Sequence, residues 1–99
     1  MTTLKENAAM PASPDDIRSR IVRIVLSSAE GDLAERDLAA ANWSLPEVSY
    51  SSLAYIRMID TVENELGVYL DPEEESERFE TIDSLVELIS QHLRESADA

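Results

Sequence analysis

Apolar residues recur at helical spacing in three stretches of this chain, and polar or turn-forming residues separate them. In SPDDIRSRIVRIVLSS, Ile17, Ile21, Ile24 and Val25 make one stripe, with Arg18, Arg20 and Arg23 flanking it. That is the pattern of an amphipathic helix. Ser13 suits its cap and Pro14 its first position, and Asp15 and Asp16 fall where the helix dipole favours negative charge. Glu30, Gly31 and Asp32 are expected to end it. A second helix is predicted from Ser52 to Leu66, with Tyr55, Ile56, Met58, Ile59, Val62 and Leu66 on its packing side and Arg57, Asp60, Thr61 and Asn64 on the other. Gly67 follows as a left-handed terminator. Thr81 caps a last helix whose stripe is Ile82, Leu85, Val86, Ile89 and Leu93.

Between the first two helices the period loosens from Leu33 to Tyr50. The stretch reads as a long loop pinned by Leu33, Leu38, Trp43, Leu45 and Val48, with one short helical turn in LAERDLAAA before Pro46 stops it. VYLDPEEESERF reads as an extended piece and one helical turn after Asp71-Pro72. No stretch has the alternation of a strand, and the chain holds only 2 glycines. The fold class expected is all-α, a small four-helix bundle with a long loop between helices 1 and 2 and a short third helix. Residues 1–12 lack a period and read as a flexible tail, 13–95 as one folded domain, and 96–99 as a flexible end.

Composition narrows the chemistry. The 99 residues, 43% of them hydrophobic, suit one small domain. There is no cysteine, which excludes disulfides, a thiolate nucleophile and sulfur-ligated metal. Acidic residues outnumber basic ones 21 to 8, for a formal charge of -13. Such a surface repels nucleic acid and anionic lipid and attracts basic protein surfaces. The N-terminus carries no apolar stretch suited to a signal peptide, and nothing approaches the roughly 18 apolar residues of a membrane span. A cytoplasmic location is expected.

An enzyme is not expected. The single histidine, His92, lies near the end of the last helix, where it suits the negative dipole end better than a triad or a metal site. Carboxylates mostly form solvated runs such as Asp71 to Glu75. With only Gly31 and Gly67, no glycine-rich phosphate loop can form. What remains is a serine at a helix start, and two stretches offer one: VSYSSLAYIRMI holds Ser52 and TIDSLVELI holds Ser84.

SSLAYIRMIDTVENELGVYL resembles the second helix, and its exit, of the acyl carrier and peptidyl carrier proteins, and FETIDSLVELISQHL resembles their last helix. The resemblance spans roughly residues 14–95. It implies a four-helix bundle of the acyl-carrier type and a 4'-phosphopantetheine arm on a serine that opens the second helix. The arm's thiol would hold an acyl or aminoacyl group as a thioester. Behind Ser84 only fifteen residues remain, too few for the exit loop and closing helices that follow the modified serine in that family. The resemblance therefore assigns attachment to Ser52.

Other positions depart from the family's pattern. Ser51 stands in place of its aspartate, which helps present the attachment serine to its transferase, and Tyr50 replaces a small residue. Glu63 and Glu65 match a late acidic cluster that Asn64 interrupts, and Arg57 stands where an acidic residue is common. Ser51, Leu53, Arg57, Asp60, Glu63 and Glu65 are the expected partner-docking residues. The implied partners are a phosphopantetheinyl transferase and the loading, condensing or tailoring enzymes of a fatty acid, polyketide or nonribosomal peptide pathway, with basic docking surfaces. A free-standing carrier is the first expectation. The alternative is a carrier-like acidic helical adaptor that is never loaded, in which Ser51 and Ser52 are only a helix cap.

Overall fold

The computed structural model describes residues 14–98. The expected tail at 1–12 and the Ser13 cap lie outside them. Four α-helices are present among the described residues: α1 Pro14–Ser28, α2 Glu35–Ala40, α3 Ser52–Leu66 and α4 Ile82–Asp98. Two 3-10 turns, Pro46–Val48 and Ser76–Phe79, complete the regular structure. The protein is a small all-helical bundle. Its only pairing of strand type among the described residues is an isolated antiparallel bridge between Ser44 and Thr81.

The three long helices form where the local signals place them. Ser51 caps α3 by accepting the Ala54 N–H at 3.0 Å, and Gly67 closes it at φ 69°, with its N–H on the Glu63 carbonyl. The left-handed backbone there is what favours glycine. Thr81 and Ser84 cap α4 reciprocally: Ser84 N–H donates to Thr81 Oγ1 at 3.0 Å, and Thr81 N–H donates to Ser84 Oγ at 3.3 Å. This is a capping box with serine at the third position. α4 runs on through residues 96–98, part of the expected flexible end.

α1 packs against both α3 and α4, and α4 also covers the Ser76–Phe79 turn. Ile21, Val25, Met58, Val62, Ile82, Leu85 and Ile89 are fully buried where these helices meet. The expected stripe of α3 is narrower than its periodicity suggests. Ile56 is 63% exposed, because the buried edge of α3 is the Ala54, Met58 and Val62 line and Ile56 lies off it.

The short elements differ from expectation. The segment expected as the third helix is only the 3-10 turn Ser76–Phe79. Before it, the Asp71 carboxylate accepts the N–H groups of Glu73 and Glu74 at 3.1 and 3.3 Å, a local turn that competes with helix. The short α-helix lies instead in the long loop, as α2, where Asp37 Oδ2 accepts the Ala34 N–H at 2.9 Å. Leu38 and Leu45 anchor that loop, both fully buried. Trp43 N–H donates to the Leu38 carbonyl at 2.8 Å, Leu45 N–H to Glu80 at 2.8 Å, and the Trp43 carbonyl accepts Ile82 N–H at 3.0 Å. These bonds tie the loop to the start of α4. They hold Asn42 and Trp43 at positive φ, 58° and 62°, a conformation that asparagine tolerates and that costs a residue such as Trp43 about 1–2 kcal/mol. Arg18 lies over the Trp43 ring, 5.0 Å from its centroid, and also pairs with Asp83.

Candidate functional site

The loop 42–51 delivers the chain to the head of α3, and its last turn is set by Tyr50. The Tyr50 hydroxyl donates to the Val25 carbonyl at 2.7 Å, one of the four carbonyls that the end of α1 leaves without an intrahelical donor. The Tyr50 ring meets Tyr55 edge-on, with centroids 4.9 Å apart. Burial pushes the Tyr50 phenol well above its ordinary range; Ser28 pulls against that shift and Tyr55 adds to it. The Tyr55 phenol is also raised, by burial first and then by the Glu80 carboxylate. Both phenols are therefore neutral over the physiological range.

Ser52 is the first residue of α3 and is exposed. No side-chain hydrogen bond or ion pair among the described residues engages its hydroxyl. It stands in the first turn of α3, where Ser51 Oγ accepts the Ala54 N–H while the N–H groups of Ser52 and Leu53 have no intrahelical acceptor and lie at the positive dipole end. An exposed hydroxyl beside the two remaining donors, Ser52 N–H and Leu53 N–H, fits a phosphodiester. Ser84 has none of this freedom. It is half-buried, and its oxygen lies 2.8 Å from the Arg78 carbonyl and 3.0 Å from the Thr81 carbonyl, besides its part in the capping box.

The other expected site residues separate into two groups. Leu53, Ile56, Arg57 and Asp60 recur at intervals of three and four along α3 and are exposed, Leu53 at 44%. They form one outward face that begins beside Ser52. Ser51 and Glu63 are engaged within the fold, and Glu65, although exposed, pairs with α1. Ser51 is the cap, half-buried. Glu63 is half-buried, and its Oε2 accepts the Leu70 N–H at 2.9 Å, holding the exit of α3 in place. Glu65 lies 3.6 Å from Arg20 of α1.

Sequence reasoning missed Glu30, whose carboxylate accepts a hydrogen bond from the Ser51 hydroxyl. Nothing local marks it, because the two residues are 21 positions apart. Glu30, Gly31, Asp32 and Leu33 form one wall of a cavity of about 220 Å³, and Val48, Ser49, Tyr50 and Ser51 form the other. A second cleft, about 210 Å³, opens between Tyr55 and Ile59 of α3 and Pro72, Ser76 and Phe79. His92 is half-buried near the end of α4, a boundary residue with Nε2 3.2 Å from Glu75 Oε2. No group of three or more His, Cys, Asp or Glu among the described residues could hold a metal ion, and none of the described helices is long and apolar enough to cross a membrane. No family model matches the chain, and neither does any curated protein or solved structure.

Proposed function

We propose that this chain is a carrier protein that tethers acyl or aminoacyl intermediates through a phosphopantetheine arm on Ser52. The observation that carries this reading is the contrast between the two candidate serines. Ser52 offers an exposed, unengaged hydroxyl at the head of a long helix. Ser84 is spent on capping α4. The arm would supply a thiol for thioester formation.

In loading, the Ser52 oxygen bonds to the pantetheine-linked phosphorus of coenzyme A as the pyrophosphate bond breaks. Adenosine bisphosphate leaves, and the hydroxyl proton passes to a base on the transferase. The chain's own contribution is to present and orient. The Ser51 cap fixes the first turn of α3, and Tyr50, bonded to α1, fixes the approach to it. The N–H groups of Ser52 and Leu53 would offer donors to the phosphate charge and stabilise it without a basic side chain.

The outward face of α3 supports partner docking beside the attachment point. Leu53 and Ile56 supply apolar area, and Asp60 supplies a charge for a basic partner. The cleft lined by Tyr55, Ile59 and Phe79 lies one to two turns along α3 from Ser52 and suits a short acyl chain. Tethering raises the local concentration of the intermediate at each partner, so no catalytic group is required of the carrier.

The test is intact mass after incubation with coenzyme A and a broad-specificity phosphopantetheinyl transferase. A mass gain that Ser52→Ala abolishes and Ser84→Ala retains supports the reading. A wild-type chain that no transferase loads leaves the acidic adaptor as the better account.

A further inference from the structure

The first turn of α3 contains no acidic residue, although a negative charge is favourable at a helix N-terminus. The bend after α1 supplies one instead. The Ser51 hydroxyl donates to Glu30 Oε2 while its oxygen accepts the Ala54 N–H at 3.0 Å. One hydroxyl thus serves as donor and acceptor at once, which fixes its rotor. Through it, the segment that lines one wall of the 220 Å³ cavity is fastened to the residue next to Ser52.

We propose that Glu30 is a positioning residue for the modification of Ser52. It brings a carboxylate to the head of α3 from 21 residues away and, by holding the Ser51 hydroxyl, fixes the turn from which Ser52 is presented. The charge that one side chain at position 51 could carry is divided between a neutral cap and a distant acid. This inference rests on the carrier reading of Ser52. Bond making and breaking in the transfer are those given above, and Glu30 takes no part in them.

The consequence can be separated from a purely structural role, because Glu30 is exposed. Glu30→Ala should leave the melting temperature near that of wild type and lower kcat for transferase loading on the order of tenfold, less than the roughly hundredfold that a misplacement of reacting groups by about 1 Å can cost. Ser51→Asp introduced into Glu30→Ala restores a carboxylate at the same helix end, and loading should recover most of the loss. The measurement is the rate of mass gain with coenzyme A at saturating and limiting carrier, on wild type, Glu30→Ala and the double variant. Loading of Glu30→Ala at the wild-type rate overturns the proposal, as does a loss that Ser51→Asp does not restore. A wild-type chain that is never loaded overturns the carrier reading itself and this inference with it, an outcome distinct from equal loading of wild type and variant.

Discussion

The Tyr50 hydroxyl reaches back 25 residues to donate to the Val25 carbonyl at 2.7 Å, joining the end of α1 to the approach of α3. Tyr50→Phe keeps the ring and its contact with Tyr55 but leaves that carbonyl without its donor. A loss of about 0.5–1.5 kcal/mol is expected in urea unfolding. The pH dependence has a definite sign. Burial raises the Tyr50 phenol above its ordinary value of 10.0, so its contribution to stability is complete below that pH. Above it the unfolded chain ionises first, and the contribution is lost as pH rises towards the folded value. Wild type should therefore lose stability above about pH 10, and Tyr50→Phe should lose less. Equal alkaline slopes for the two proteins would contradict this account of Tyr50.

The two serines should respond oppositely to truncation. Ser84→Ala removes half of the α4 capping box and is expected to cost about 0.5–2 kcal/mol by thermal or urea unfolding, while loading by a transferase continues. Ser52→Ala removes only an exposed, unengaged hydroxyl. Its stability should stay within about 0.5 kcal/mol of wild type, while loading stops. Loading that survives Ser52→Ala and fails in a folded Ser84→Ala would reverse the assignment.

Asp60 and Glu63, one helical turn apart, should part company on charge reversal. Asp60→Lys alters the outward face and should raise KM for a partner with a basic docking surface, with an effect on the order of 0.2–1 kcal/mol that fades with salt. Glu63→Lys removes the acceptor for the Leu70 N–H and should destabilise the fold by about 1.5–3 kcal/mol. Unfolding curves and KM measured on both variants at low and high salt check the division. Similar stability losses in both would refute it.

Leu38 is the main apolar anchor of α2, a helix of 6 residues, too short to persist without tertiary packing. Leu38 is fully buried, and Leu38→Ala should cost about 2–5 kcal/mol. Amide exchange should show the loss reaching the Trp43 and Leu45 N–H groups, which tie the loop to Leu38 and to the start of α4. Exchange confined to residues 35–40 would show that the loop is held some other way.

Both boundaries of α3 and the start of α4 were legible because their causes are local. Ser51 caps the amide three residues on, Gly67 adopts the conformation that its lack of a Cβ permits, and Thr81 and Ser84 bond across one turn. The apolar stripes of α1 and α4 were legible for a similar reason, since a period of 3.6 residues turns spacing into a face. Periodicity could not show which part of a stripe a neighbour covers, and Ile56 lies on the uncovered side.

Amino-acid order alone determined three amphipathic helices, the N-caps of α3 and α4, an acidic surface and two candidate serines, since each depends on near neighbours or on composition. Tertiary structure decided what each polar group is left free to do. It commits Glu63 to Leu70, Glu65 to Arg20, Tyr50 to Val25 and Glu30 to Ser51, and it leaves Asp60 and Ser52 exposed. The physical reason is range. A hydrogen bond is made within about 3 Å, and only packing α3 and the long loop onto α1 brings residues 21 or 25 positions apart to that separation.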